Sequence, residues 1–140
     1  MKSILEFRKA ILLAMCVVFS LTLFSGCSDD GDSKDPRDNY VGSYRVIEKL
    51  MGIEIDNYYV TIVKSSTSDN DILINNFFNM SSVSARVTVS GNSFTIPQQT
   101  YVDGGFSGSG QRDGNRLYYS VNVSITGEAT YNIEVEATRQ

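Results

Sequence analysis

The stretch "RLYYSVNVSITGEATYNIEVEA", residues 116–137, alternates apolar and polar side chains on both sides of Gly127. In its first half every second residue from Leu117 to Ile125 is apolar, and the second half repeats the pattern from Ala129 to Ala137. A period of two places neighbouring side chains on opposite faces of a β-strand. The stretch therefore predicts two antiparallel strands, each with one buried and one solvated face, joined by a turn at the glycine.

The same alternation recurs through the rest of the chain from Tyr40 onward. Residues 83–90 alternate in this way, and Gly91-Asn92 joins them to the next strand with the two-residue spacing of a tight hairpin. No segment in this part of the sequence has a convincing helical stripe. The predicted strands are Ser43–Leu50, Tyr58–Lys64, Ile72–Phe78, Val83–Ser90, Ser93–Gln98, Phe106–Arg112, Leu117–Ile125 and Ala129–Thr138.

Eight consecutive strands joined by short turns predict an all-β fold. Such an up-and-down meander leaves two unpaired edges unless it closes on itself, and closure removes both edges. We therefore predict a single up-and-down antiparallel eight-stranded barrel over residues 40–140. A two-sheet β-sandwich is the alternative, because alternation alone does not separate the two architectures. The interior of an eight-stranded barrel is just filled by side chains or holds one small ligand.

Aromatic residues supply the candidate positions for contact with a ligand or partner. Those predicted to line the barrel interior or a ligand cavity are Tyr44, Phe77, Phe78, Phe94, Phe106 and Tyr119. A filled core is the favoured interpretation, because a barrel of this size has little spare volume. Tyr58 and Tyr118 are predicted on the outer face, where a tyrosine can stack on a sugar or contact a protein. Ordinary cross-strand pairing is the alternative role for these two residues.

The amino-terminal residues have the pattern of a secretory signal peptide that ends before Cys27. Three cationic residues precede the apolar run 10–24, which is followed by two small residues. This run is shorter than the roughly 20 residues that a membrane-spanning helix needs. The stretch "FSGC", residues 24–27, resembles a bacterial lipobox. The resemblance implies that residues 1–26 are removed and that Cys27 carries a diacylglyceryl lipid, whose two chains anchor a protein stably to a membrane.

Residues 27–39 are predicted to form an acidic, flexible tether. After the cysteine this segment has five aspartates and no aromatic or branched apolar side chain, so it has little to bury. The acidic run also resembles the signal that sends lipoproteins of some Gram-negative bacteria to the outer face of the outer membrane. This resemblance implies an outer-membrane lipoprotein exposed at the cell surface, with a periplasm-facing anchor as the alternative.

The composition argues against several classes of function. The chain has no histidine, which excludes histidine-based catalytic triads, histidine-ligated zinc and imidazole acid–base chemistry. Its net charge of −4 at pH 7 argues against binding nucleic acid. No metal-ligand spacing, nucleotide loop or nucleophile–base pair stands out. We therefore predict a protein that is not an enzyme and that needs no metal or other cofactor.

Several stretches resemble a known family. "YVGSYRV", residues 40–46, is similar to the opening of lipocalin and calycin barrels, with Tyr44 where lipocalins carry tryptophan. "ILINNFFN", followed by "VSARVTVSGNSFTIPQQ" and "FSGSG", resembles a pattern in small calycin-like lipoproteins of Gram-negative gut-type bacteria. The resemblance covers most of residues 40–138 and implies a short calycin-like barrel domain.

Two functional hypotheses remain open at this point. In the first, the protein is a non-catalytic surface or periplasmic lipoprotein whose barrel opens to solvent and binds a small hydrophobic or glycan ligand. In the second, a filled barrel is a structural or accessory module of the cell envelope. Its partner proteins would then contact an outer patch around Tyr58, Val60 and Ile62. Whether the barrel interior is hollow separates the two hypotheses.

Replacing Cys27 with serine tests the predicted lipid anchor. We expect Cys27→Ser to move the protein from the membrane fraction to the soluble fraction of lysed cells, because serine cannot form the thioether that carries the lipid. The matched control is Cys16→Ser, which changes the other cysteine inside the predicted signal peptide and should leave the protein in the membrane fraction. Retention of Cys27→Ser in the membrane fraction would contradict the lipid anchor.

Overall fold

The structure is a computed structural model that describes residues 34–140. The predicted signal peptide (residues 1–26), the predicted lipidation site Cys27 and residues 28–33 of the predicted tether lie outside the described residues. The description below therefore concerns the barrel domain and the short segment that leads into it.

The domain consists of eight strands and two short 3₁₀ turns. The strands are β1 (Gly42–Leu50), β2 (Ile53–Lys64), β3 (Asp71–Asn75), β4 (Ser84–Ser90), β5 (Ser93–Tyr101), β6 (Gly104–Asp113), β7 (Arg116–Ile125) and β8 (Thr130–Arg139). The 3₁₀ turns are Pro36–Asn39, before β1, and Phe77–Asn79, between β3 and β4.

The strands form one closed, up-and-down antiparallel barrel. Each strand pairs with the next along the chain, and β8 pairs back onto β1, with Arg139 opposite Tyr44 and Ile133 opposite Leu50. Closure removes the unpaired edges that an open sheet would expose. The predicted eight-stranded barrel is confirmed, and the β-sandwich alternative is not the fold.

Inward-facing side chains from all eight strands form one hydrophobic core. The alternation that predicted β7 is confirmed from Leu117 to Val123, where each apolar residue of the pattern is buried. Ile125 and Tyr131 continue the pattern but are exposed, because they lie where the two strands leave the core near the β7–β8 turn. Period-two patterning therefore identified the buried face of this hairpin over most of its length.

The barrel end at which β1 begins, called here the capped end, is closed by Tyr40. This residue is fully buried, and its hydroxyl donates a hydrogen bond to the Gly91 carbonyl oxygen at 2.9 Å. Its ring packs edge-on against Phe94 with 5.9 Å between centroids, and the Arg112 guanidinium lies 5.8 Å from the ring centroid. Tyr40 therefore packs into the capped end of the barrel.

The segment before Tyr40 is ordered against the barrel. Pro36–Asn39 forms a 3₁₀ turn, in which the Asp35 carboxylate accepts hydrogen bonds from the Arg37 backbone N–H at 2.9 Å and from its guanidinium. Arg37 also donates to the Ser68 carbonyl oxygen at 2.6 Å, and so joins the turn to the β2–β3 loop. The prediction of a flexible tether is therefore wrong for residues 35–39, where ionic hydrogen bonds offset the entropy of ordering.

Tyr44 and Arg139 seal the seam between the first and last strands. Arg139 donates to the Tyr44 hydroxyl at 2.9 Å from Nη2 and at 3.1 Å from Nε. Its guanidinium also lies 5.4 Å from the Tyr44 ring centroid, within cation–π range, and donates to the Asn39 carbonyl oxygen at 2.5 Å. One side chain thus joins β1, β8 and the 3₁₀ turn at the capped end.

The start of β2 and the end of β3 differ from those predicted. β2 begins at Ile53 rather than at Tyr58, because the residues before Tyr58 pair with the end of β1. β3 ends at Asn75 rather than at Phe78, because the chain turns into a 3₁₀ segment in which Phe78 has a left-handed backbone (φ 55°). Phe77 and Phe78, predicted as the end of the third strand, thus pack against the barrel core from a 3₁₀ turn.

β5 continues through Pro97, a residue with no N–H to contribute to a sheet. The side chain of Gln99 replaces the missing pairing with β4. Its Oε1 accepts from the Arg86 backbone N–H at 2.8 Å, and its Nε2 donates to the Arg86 carbonyl oxygen at 2.8 Å. The side-chain amide mimics a backbone peptide unit here, and the strand reaches Tyr101 instead of ending at the predicted Gln98.

Adding a methyl group at Gly110 should destabilise the barrel. A Cβ at this position would lie 2.7 Å from Phe94 Cζ and would also collide with Tyr119 Cβ and the Tyr118 carbonyl oxygen. We expect Gly110→Ala to cost about 1–3 kcal/mol of unfolding free energy, measured by urea denaturation, because overpacking outweighs the smaller entropic gain from losing a glycine. The neighbouring control Ser109→Ala should stay within about 0.5 kcal/mol of the wild type. Equal stability of Gly110→Ala and the wild type would contradict this packing argument.

Candidate functional site

The candidate site is a recess at the barrel end opposite the capped end, which we call the mouth. The β1–β2, β5–β6 and β7–β8 turns and the β3–β4 connection meet at this end. The recess has a volume of about 360 Å³. Its lining residues are Glu48, Leu50, Ile55, Phe78, Tyr101, Val123, Ile125, Tyr131 and Ile133. All of these except Glu48 are aliphatic or aromatic, as is usual for a site that binds a small molecule.

An aromatic cluster forms the inner wall of the recess. Phe78 packs on Phe77 with 4.3 Å between ring centroids, on Phe106 at 5.5 Å and on Tyr101 at 5.9 Å. Phe77 and Phe106 are buried below this layer, with their own centroids 5.1 Å apart. The barrel interior is therefore filled up to this cluster, and the open volume begins above it.

Phe78 contributes its ring to the recess from a strained backbone. A left-handed conformation is uncommon for a bulky side chain and costs roughly 1–2 kcal/mol. Asn76 and Asn79, in the same connection, also have positive φ values of 65° and 56°. Packing of the Phe78 ring against Phe77, Tyr101 and Phe106 holds this conformation. Strain of this kind is concentrated at sites of function in proteins.

Glu48 is the ionisable carboxyl group of the recess. It lies on the inward face of β1, opposite Asp56 of β2 and Val135 of β8, and is only 5% exposed. Its Oε1 accepts a short hydrogen bond from the Tyr58 hydroxyl. Among the described residues no lysine or arginine pairs with Glu48, and none donates a hydrogen bond to its Oε2. The recess therefore contains a nearly buried acid with one oxygen unpaired by the protein.

Burial sets the protonation behaviour of this group. Desolvation raises the pKa of Glu48, the hydrogen bond from Tyr58 lowers it in part, and the nearby Asp56 carboxylate raises it again. Burial, followed by the hydrogen bond and the negative charge of Glu48, also raises the pKa of Tyr58. Burial and the same charge raise the pKa of Tyr119. Both phenols thus stay protonated at physiological pH, and Tyr58 remains a donor to Glu48.

The six aromatic residues predicted for the interior fall into three groups. Phe78 lines the recess, and Phe77 and Phe106 pack beneath it. Phe94 and Tyr119 pack on each other in the core, with 5.6 Å between centroids, and Tyr44 lies at the seam with Arg139. Of the six, Phe78 alone is therefore part of the recess lining.

The predicted outer-face position of Tyr58 is wrong. Tyr58 is 6% exposed and faces the core, whereas Tyr59 beside it is 61% exposed. Val60 and Ile62 are also buried, so the predicted outer patch around these three residues does not exist. Pairing with β1, in which Tyr58 lies opposite Val46, sets this phase of β2. Both faces of the segment are apolar, and alternation alone therefore did not fix which face points inward.

Tyr118 lies on the outer surface, as predicted, in a second concavity of about 630 Å³ that crosses β5 to β8. Its hydroxyl is 3.3 Å from Arg116 Nη1, which also lies 3.3 Å from Glu136 Oε1. The lining is largely polar and includes Gln111 and Ser120. The polar groups here are solvated or paired with one another, and exposed ion pairs of this kind contribute little energy.

Sequence reasoning missed Glu48, and a signal for it was present. Tyr44 and Val46 are inward-facing, and the next residue in the same period-two phase is Glu48. A charged residue on the apolar face of a predicted strand is a candidate functional group, because an isolated buried charge costs stability. Tyr101 was also missed, because β5 was expected to end before it.

Comparisons with known proteins add no identification. No protein-family model matches the chain, and no curated protein matches it in sequence. The closed eight-stranded barrel is compatible with a calycin-like or lipocalin-like fold. Within residues 34–140 no helix combines the length and the apolar composition needed to cross a membrane.

Replacing Glu48 with glutamine should stabilise the domain at neutral pH. A carboxyl group whose pKa is raised by folding stabilises the folded state below its unfolded pKa, and this contribution is lost as the pH rises through the folded pKa. Glutamine keeps the shape and can still accept from Tyr58. We expect Glu48→Gln to gain about 1 kcal/mol in urea denaturation at neutral pH, on the scale of one poorly satisfied buried polar group.

The pH dependence of this stability gain distinguishes the removal of a buried charge from an improvement in packing. The difference between Glu48→Gln and the wild type should shrink as the pH falls below the ordinary glutamate pKa of 4.5, because the carboxyl then becomes protonated in both the folded and the unfolded state. Glu54→Gln, a change at an exposed carboxylate near the mouth, should alter stability by less than about 0.5 kcal/mol at every pH. A stability gain for Glu48→Gln that is the same at all pH values would contradict the buried-charge argument.

Proposed function

We propose that this protein is a non-catalytic binding protein that takes a small, largely apolar ligand into the recess at the mouth of its barrel. The observation that carries the proposal is the recess itself, an apolar hollow of about 360 Å³ at one end of an otherwise filled barrel. We further propose that a lipid on Cys27 anchors the protein in the outer membrane, with the barrel at the cell surface. A periplasm-facing anchor is the alternative location.

The filled core limits what the recess can hold. Phe77, Phe78 and Phe106 close the barrel below the mouth, so a ligand enters from one end and stops at the aromatic cluster. Eight-stranded barrels that bind ligands take up one small molecule, in keeping with this volume. The apolar lining favours a hydrophobic ligand over a glycan, because a sugar would leave most of its hydroxyl groups without partners.

Exposed apolar residues at the tips of the turns extend the apolar surface beyond the recess. Met51 in the β1–β2 turn is 93% exposed and Val102 in the β5–β6 turn is 87% exposed. Ile53 and Ile55, at the start of β2, are exposed as well. Ile55 also lines the recess, and the turns that carry Met51 and Val102 lie at the same end of the barrel. Exposed apolar side chains at this end would supply contact area for any part of a ligand that projects from the recess.

The groups in the recess support binding better than catalysis. General acid–base chemistry needs groups whose pKa lies near the working pH and that can reach the same reacting atom. Of the residues lining the recess, Glu48 is the carboxyl group, and its hydrogen-bond partner Tyr58 is a phenol whose pKa is raised. We therefore propose that the ligand leaves the recess chemically unchanged.

The position of the recess is compatible with a lipid anchor. The chain enters the barrel at the capped end, through Pro36–Asn39 and Tyr40. The described part of the chain therefore begins at the end opposite the mouth. The accessory-module hypothesis is less well supported, because Tyr58, Val60 and Ile62, which were to form its contact patch, are buried.

Octanol is a suitable probe for the proposed site, because it is small, largely apolar and uncharged. We expect saturable binding of octanol to the wild-type domain, with NMR chemical-shift changes concentrated at recess residues such as Tyr101 and Ile133. Ile133→Trp should abolish binding by filling the recess. The matched control is Tyr59→Trp, which places the same side chain on the outer face and should bind octanol as the wild type does. Absence of octanol binding to the folded wild type, or equal binding to Ile133→Trp, would contradict the proposed site.

A further inference from the structure

The buried carboxyl of Glu48 is the feature of the recess that an apolar ligand alone does not explain. The group is 5% exposed and lines the recess, and one of its oxygens has no protein donor among the described residues. An isolated carboxylate in an apolar setting is costly unless it is paired. If the ligand were purely hydrocarbon, an apolar side chain in place of Glu48 would bind it equally well.

The surroundings of Glu48 lack a positive charge. Tyr58 and Asp56 face it from β2, Tyr119 lies near it from β7, and Val135 is opposite it on β8. These side chains are a phenol, a carboxylate, a second phenol and an aliphatic group. No lysine or arginine within residues 34–140 comes within ion-pair distance of Glu48. A counter-charge for this carboxylate would therefore have to come from a bound molecule.

The aromatic lining suits the same kind of molecule. Phe78, Tyr101 and Tyr131 supply ring faces or edges to the recess that also contains Glu48. A cation near an aromatic face is attracted by the negative charge density of the ring, and the attraction is greater when water is excluded. A carboxylate together with several aromatic rings in one apolar recess is thus the combination of groups that recognises an organic cation.

We propose that the recess is specific for amphiphilic amines, in which an apolar body carries a protonated amino group. The ammonium group donates to the free oxygen of Glu48, and the apolar body lies against Leu50, Val123 and Ile133 towards the mouth. Tyr58 holds the carboxyl in place by donating to its other oxygen. This inference rests on the proposed function, because it assigns the ligand class of the same site.

Three probes of one chain length test the assignment: octylamine, octanol and octanoic acid. We expect the wild type at neutral pH to bind octylamine at least about tenfold more tightly than octanol, the scale of one hydrogen bond between charged groups. Octanoic acid should bind most weakly, because its carboxylate would face that of Glu48. Binding is measured by isothermal titration calorimetry on the full barrel domain.

Glu48→Gln is the decisive variant, because glutamine preserves the shape of the site and removes the charge. The ratio of octylamine affinity to octanol affinity, measured on this variant, should fall to about one, because the preference depends on the charge. Glu54→Gln, which removes an exposed carboxylate near the mouth, is the matched control and should keep the preference. Far-ultraviolet circular dichroism of each variant checks that the barrel is folded.

The outcomes separate this inference from the proposed function. If octanol binds and octylamine binds no more tightly, the amine assignment is wrong and the apolar site stands. If Glu48→Gln keeps the full preference for octylamine, another group recognises the amine and the assignment is also wrong. If octanol does not bind the folded wild type, the proposed function fails, and the inference that depends on it fails as well.

Discussion

The closed ring of strand pairing is the constraint on which the rest of the structure depends. Because β8 pairs with β1, the number of strands sets the width of the interior, and the core side chains must fit that width. Gly110 shows how closely they fit, since a methyl group there would overlap Phe94 and Tyr119. The seal between Tyr44 and Arg139 holds the ring at its capped end. The recess exists because the packed layers stop at Phe78, short of the mouth.

Two features that cost stability meet at this recess. Phe78 has an unfavourable backbone conformation, and Glu48 is a buried acid without a cationic partner among the described residues. Elsewhere in the described domain the core side chains are apolar, and the buried Asp71 is hydrogen-bonded to Thr88 at 2.7 Å. Departures from local consistency are expected at functional or strained sites, which supports the proposed binding site at the mouth.

The fold was largely predictable from sequence, whereas the site was not. In strands with one apolar and one polar face, such as β7 and β8, alternation alone predicts which face is buried. In β2 both faces are apolar, and the partner strand decided that Tyr58 points inward and Tyr59 outward. The conformation of Phe78 depends on tertiary packing that no local pattern encodes. The docking of residues 35–39 likewise depends on a distant partner, since Lys64 lies 3.0 Å from Asp35.

The substitution of a side chain for backbone pairing at Gln99 has a mechanical consequence. β4 and β5 pair through their main chains only near their shared hairpin, between Thr88–Ser90 and Ser93–Thr95, and the Gln99 amide bridges the seam nearer the mouth. A side-chain bridge can release by rotating about its own bonds, while every residue keeps its strand conformation. On the mouth side of this seam, β4 and β5 are therefore held together by a side-chain amide and not by a continuous main-chain ladder.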